Sequence, residues 1–148
     1  SCRLGFELQP CDMKEEDMVC SKRALAEYKR IRPVVQFGDL YRLSAPYESR
    51  VASLMYVYGK RAVVFAWLMD KWLADSPPPL RLKGLNPAAR YLVREINMNE
   101  DGSLTNVHEQ VLGGDFLMDA GIRIRWKKTF QSVCLEVAET NPDAPASS

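Results

Sequence analysis

Five carboxylates, Asp39, Asp70, Asp75, Glu95 and Asp115, have the widest chemical reach of any groups in this 148-residue chain. Two carboxyl groups held about 5 to 9.5 Å apart can divide acid, base and nucleophile roles between them. The spacing of these five along the sequence supplies no such distance, so no catalytic pair is expected. Asp70-Lys71-Trp72-Leu73 has Leu73 where a nucleophile motif would want an acid, and it reads as a strand end. The single histidine, His108, lies beside a polar stretch with no Cys or Ser pattern around it, and solvation is its expected state. Cysteines stand at 2, 11, 20 and 134 without a C-x-x-C pair, which excludes a zinc site of ordinary spacing. A chain of this length needs no disulfide framework, so unpaired, partly buried thiols are expected, with a slight lean toward a reducing compartment.

Binding chemistry is as sparse. Arg123, Arg125, Lys127 and Lys128 could touch a phosphate or a sugar acid, but a solvated strand face guarded by charge is the plainer reading. Trp67 and Trp126 fall on the apolar side of an alternating pattern and are expected in the core, while Trp72 stays open as a surface aromatic. No Gly-rich phosphate loop, nucleophile elbow or metal motif occurs. No catalytic, cofactor-binding, substrate-binding or metal residue is therefore assigned, and no cofactor is expected. Twenty basic side chains against nineteen acidic ones leave a formal charge of +1, which argues against nucleic acid and anionic membranes as partners. The longest apolar run, Ala62 to Met69, is far short of the roughly 20 residues a membrane helix needs.

The elements that would position these groups divide in two. Arg3–Leu8 reads as a strand, and Asp12-Met13-Lys14-Glu15 has the form of a capping box. Met18, Leu25 and Tyr28, with Ile31 near the edge, space out an apolar stripe for a helix over 13–31 that packs through those residues. Pro33 is expected to end it by disfavouring helical geometry at Arg32. Downstream the pattern changes to short strands: Val51–Tyr58 and Ala62–Met69 around Gly59-Lys60-Arg61, then Leu80–Leu82, Arg90–Met98, Asp115–Met118, Ile122–Lys128 and Ser132–Val137. Ser76-Pro77-Pro78-Pro79 is a spacer, 97–106 a loop, and 139–148 a frayed tail. Many short strands with frequent turns predict a mainly β fold, an antiparallel two-sheet β-sandwich with Greek-key links.

Three stretches carry a resemblance: Arg32-Pro33-Val34-Val35-Gln36-Phe37-Gly38-Asp39-Leu40-Tyr41-Arg42-Leu43 with Pro46-Tyr47; Leu82-Lys83-Gly84-Leu85-Asn86-Pro87 leading to Arg90-Tyr91; and Gly113-Gly114-Asp115-Phe116-Leu117-Met118 with Gly121. In this order they resemble the C-terminal β-domain of bacterial family 36 glycoside hydrolases, the α-galactosidases of melibiase type. Residues 3–31 look like the last strand and helix of that family's preceding (β/α)8 barrel, and Ser1–Phe6 like a chain joined in mid-fold. Asn86 and Gly113 depart from the family's usual Asp and Ser.

The resemblance implies three parts: a barrel remnant over 1–31, a sandwich domain over 32–138 and a tail over 139–148. It also implies a parent that hydrolyses terminal α-galactosides, such as melibiose and raffinose-type sugars, with retention. The parent's two catalytic aspartates would lie on barrel strands upstream, so no catalytic residue carries over and this chain alone is expected to be inactive. Its expected partners are its own barrel, the parent's N-terminal domain and further copies in a homo-oligomer, with substrate reached only through the parent. The competing expectation is a carbohydrate-binding module using exposed aromatics.

Overall fold

A computed structural model describes residues 14–70, 77–98 and 102–140. The expected strand at 3–8, together with Cys2, Cys11, Asp12, Trp72 and Asp75, lies outside them. The first element is a helix, α1 (Glu15–Phe37), which begins after Lys14 without a side-chain cap. Acidic Glu15, Glu16 and Asp17 occupy its first turn, where the exposed amides and the helix dipole favour negative charge. The helix runs straight through Pro33 rather than ending before it. An interior proline costs about 3 kcal/mol by removing one backbone bond and crowding the preceding carbonyl. Against that, Ile31, Val34 and Val35 are all buried, and each apolar side chain taken from water stabilises by roughly 1.5–3 kcal/mol. Burial beyond the proline wins.

That burial also relocates the docking face. The helix meets the sheet through Ile31, Val34 and Val35, while Met18 and Leu25 are exposed and Tyr28 is half-buried. At about 100° per residue, Met18 and Leu25 lie roughly 130–150° around the axis from the centre of the buried trio. Spacings of seven and three drift around an α-helix, so the expected single stripe splits into two sides.

Gly38 ends α1, its N–H bonding to the Val34 carbonyl at 2.9 Å. A β-carbon there would sit 2.4 Å from the Val34 oxygen and 2.9 Å from the Val57 oxygen, so only glycine passes between helix and sheet. The chain then enters β1 (Asp39–Ser44), crosses a single turn, α2 (Pro46–Ser49), and makes the hairpin β2 (Val51–Tyr58) and β3 (Arg61–Leu68). Tyr58 pairs with Arg61, and Gly59 takes the positive φ of 57° that a two-residue hairpin loop asks of its first position.

Next come β4 (Arg90–Glu95), β5 (Gln110–Gly113), the short helix α3 (Gly114–Asp119) and β6 (Ser132–Glu139). The expected strand at 115–118 is therefore a helix. A four-residue apolar run carries no decisive period, and its neighbours settle its form. Glu139 belongs to β6, not to a tail: its N–H bonds to the Lys60 carbonyl at 2.8 Å and its carboxylate pairs with the Lys60 ammonium.

The named strands form one antiparallel sheet, in the order β1-β2-β3-β6-β4-β5, in place of the two sheets expected. One face carries the main core, with Met55, Val64, Leu68, Val93 and Leu135 among its fully buried side chains. The second layer over that face is irregular, contributing Leu82, Leu117 and Ile122. Leu80–Leu82 and Ile122–Lys128, expected as strands, supply it with two isolated bridges, Leu80 to Ile122 and Thr105 to Ile124. Two motifs singled out in the sequence meet within this layer. Gly114 and Asp115 donate their N–H groups to the carbonyls of Ala89 and Pro87, and the Asn86 N–H bonds to the Tyr91 hydroxyl at 2.9 Å. The opposite face of the sheet carries α1.

Candidate functional site

The candidate acids are scattered. Asp39 opens β1, Asp70 follows β3, and Asp115 lies in the first turn of α3; all three are exposed. Asp115 turns its Oδ1 onto the Phe116 N–H at 2.7 Å. Of the described candidates Glu95 alone is buried. Its Oε2 accepts from the Ser103 hydroxyl at 2.6 Å and the Leu104 N–H at 2.8 Å, which ties the 103–105 turn to the end of β4. His108 joins the same turn instead of lying free in solvent. Its Nδ1 accepts the Glu95 N–H at 3.0 Å.

The strongest electrostatic feature is one the sequence pattern passed over. Glu136 sits mid-strand in β6, 7% exposed, directly across from Val63 on β3 and Arg94 on β4. Arg30 of α1 donates to one carboxylate oxygen and Arg61 to the other, the latter at 2.6 Å, while Arg94 lies 3.5 Å away. Arg30 and Arg94 also share Glu27, at 2.5 and 3.1 Å. Burial pushes the Glu136 pKa up, but the hydrogen bonds and charges of Arg30 and Arg61 outweigh it and hold the carboxyl below its ordinary value. Burial likewise opposes the Arg30 charge, and the two glutamates raise its pKa over that opposition. Beside them, burial first and then the Glu136 charge push the Cys134 thiol up to about 12. Three guanidinium groups and two carboxylates thus fasten α1 across β3, β6 and β4. With every carboxylate partnered by arginine, the cluster is suited to holding elements together rather than to transferring protons.

On the other face a cleft of about 470 Å³ opens between sheet and cover, lined among others by Ser44, Val51, Leu80, Arg81, Lys83 and Trp126. Among the described residues no carboxylate lines it. Trp126 packs against the core as its alternation predicted. Trp67 does not: it is 38% exposed and stacked on Phe65, with ring centroids 5.9 Å apart and planes 9° from parallel. Arg123, Arg125, Lys127 and Lys128 are exposed. Among the described residues no three His, Cys, Asp or Glu side chains gather where a metal could sit, and no helix is long and apolar enough to cross a membrane.

Comparison with known proteins is consistent with this geometry. Residues 51–137 match the family model of the glycosyl hydrolase family 36 C-terminal domain. Alpha-galactosidase AgaA of Geobacillus stearothermophilus is 31% identical over 132 residues, covering 87% of this chain and 16% of that protein. Alpha-galactosidase 2 of Hypocrea jecorina is 30% identical over 130 residues, covering 86% and 16%. The crystal structure of AgaB, a family 36 α-galactosidase from Geobacillus stearothermophilus, superposes with a TM-score of 0.71 at 29% identity, over 88% of this chain and 17% of that one. The chain spans about a sixth of the length of the relatives it matches.

Proposed function

Because this chain belongs to the family of glycosyl hydrolase family 36 C-terminal domains, we propose that it is the non-catalytic β-domain of a retaining α-galactosidase. The parent would hydrolyse terminal α-D-galactosides of the melibiose and raffinose type, and this domain would brace its catalytic barrel and its oligomer. In this reading residues 1–31 close the preceding (β/α)8 barrel, and the β-domain runs from 32 through the end of β6, Glu139 included. The irregular layer over the main core stands where a sandwich would have its second sheet.

One observation carries the reading: the buried contacts of α1 with the sheet lie in its C-terminal part, and its earlier turns carry none. Its C-terminal third is fixed to the sheet by Ile31, Val34, Val35 and the Glu136 cluster, while Met18 and Leu25 point elsewhere and are exposed. A helix that runs on past its contact with the sheet is long enough to meet a second body. A bracing element between two bodies needs such a shape.

The test is a comparison of the 148-residue chain with the full polypeptide that contains it. The full polypeptide should release the chromophore from a nitrophenyl α-galactoside, and the chain alone should give the buffer rate. Turnover by the chain alone sinks the proposal. Calorimetry with galactose and raffinose separates the competing sugar-binding role, which predicts saturable heat where a brace gives none.

A further inference from the structure

The cleft between the sheet and its irregular layer, about 470 Å³, is of a size that takes small molecules. Its outer wall comes from two stretches, 77–85 and 120–128, and neither contains an acid. Along the first, burial alternates: Leu80 and Leu82 enter the main core, while Arg81 and Lys83 stand exposed at the rim. Residues two apart in such a segment share a side at roughly 7 Å, near enough for both cations to reach one carboxylate. The Arg81 stem rests over Gly121, where a β-carbon would meet its Cγ at 3.1 Å. Among the described residues neither cation has a carboxylate partner. Lys83 Nζ donates to the Arg42 carbonyl at 3.4 Å, which leaves two N–H groups for another acceptor. Ser44, on the sheet side, donates its hydroxyl proton to the Val51 carbonyl at 2.7 Å and so accepts from the Ser53 hydroxyl at 2.5 Å. Toward a ligand it can only accept. Trp126, Pro78 and Pro79 supply apolar wall, and the prolines hold their φ fixed.

We propose that this cleft is a binding site for a hexuronic acid, the carboxylate lying between Arg81 and Lys83 and the ring against Trp126. Three features of the lining select that chemistry. Two unpartnered cations call for an anion, which a neutral hexose does not offer. An acceptor-only hydroxyl at Ser44 calls for a hydroxyl donor, which a simple aromatic or alicyclic acid lacks. Apolar wall facing the cations calls for a ring with a C–H face to take from water, which inorganic phosphate lacks. The exposed Arg123 and Arg125, on either side of Ile124 in the wall, add to the positive field at the mouth. The site binds without turnover and does not depend on the bracing role, so either can fail alone.

Nitrogen–proton correlation spectra of the 148-residue chain, titrated with D-galacturonate, test this directly. D-galactose is the matched neutral probe, differing only in the group at C6. Galacturonate should shift the Trp126 indole signal saturably and leave that of Trp67, which stacks on Phe65 on the opposite face, in place. It should bind about tenfold or more tightly than galactose, because its carboxylate alone makes charge-assisted hydrogen bonds. Arg81→Gln combined with Lys83→Gln should remove that advantage. Both positions are exposed, and an otherwise unchanged spectrum shows the fold intact. Raising the salt to 1 M should weaken galacturonate binding and leave any galactose signal unmoved. The proposal is overturned if galacturonate gives no saturable shift at Trp126, or if galactose matches its affinity. Equal binding of inorganic phosphate overturns it by reducing the rim to an unselective anion patch. Equal binding of cyclohexanecarboxylate does so by showing that the hydroxyl groups are not read.

Discussion

Glu136 occupies the middle of an apolar strand, and its cost there is met by Arg30 and Arg61, which each donate to its carboxylate. Its lowered pKa sets the sign of a pH dependence. The native state binds the proton less readily than the unfolded chain, so the group stabilises the fold fully above the ordinary glutamate range, and that contribution disappears as pH falls through the lowered native value. Glu136→Gln should therefore destabilise at neutral pH, by about 1–2 kcal/mol, because the three arginines keep roughly a third of their side-chain surface in water and are screened accordingly. Urea titrations from pH 7 to 3 should show a shallower acid limb in the variant, and parallel curves would refute the assignment. The neighbouring thiol gives a second expectation. With Cys134 buried and its pKa pushed up to about 12, a maleimide at pH 7.5 should label exposed Cys20 readily and Cys134 only after unfolding. An unpaired, buried thiol was among the expectations of the sequence; the role of Glu136 was not. An acid between Leu135 and Val137 declares its partners only when β3, β4 and α1 are brought around it.

Helix α1 shows where periodic reading succeeds and where it fails. The acidic first turn and the apolar spacing announced a helix, yet its end and its buried side were both misplaced. Both errors have one cause, the sheet, which extends the helix past Pro33 by burying Val34 and Val35 and sets which side faces inward. Local propensity at Arg32-Pro33 loses to that burial. The β2–β3 hairpin, by contrast, was legible almost to the residue, because two strand-length apolar runs and a Gly-containing link depend on neighbours close in sequence. Strands β1 and β5 escaped: β1 is a half-exposed edge with its register broken between Arg42 and Ser44, and β5 is only four residues long. The helix end can be probed from both directions. Pro33→Ala restores an N–H to an exposed helical position and should stabilise by about 1 kcal/mol. Gly38→Ala drives a β-carbon against the Val34 and Val57 carbonyls and should destabilise by about 1–3 kcal/mol. Urea midpoints moving oppositely bear this out; equal midpoints would mean that helix and sheet do not meet as described.

The order β1-β2-β3-β6-β4-β5 places the last strand in the middle of the sheet. Hairpin pairing joins β1 to β2, β2 to β3 and β4 to β5, but the two halves of the sheet are joined only through β6. This ordering was not legible, since alternation shows that a segment is a strand and says nothing of which neighbour it takes. It has an energetic consequence: pairing β6 closes a loop of some seventy residues back to β3, and such closure costs entropy before its contacts repay it. Strand β6 brings Val133, Leu135 and Val137 into the main core, and Cys134 and Glu136 to the helix side, so its arrival completes both faces together. Leu135, fully buried and opposite Val64 and Glu95, reports on that step. Leu135→Ala should cost about 2–5 kcal/mol by transfer and cavity together. If β6 seats after the hairpins form, most of that loss belongs to unfolding, and stopped-flow traces should show the unfolding rate rising roughly tenfold or more with the refolding rate little changed. Refolding slowed by the full factor, with unfolding untouched, would instead place β6 in the nucleus and make the central strand the organiser of the sheet.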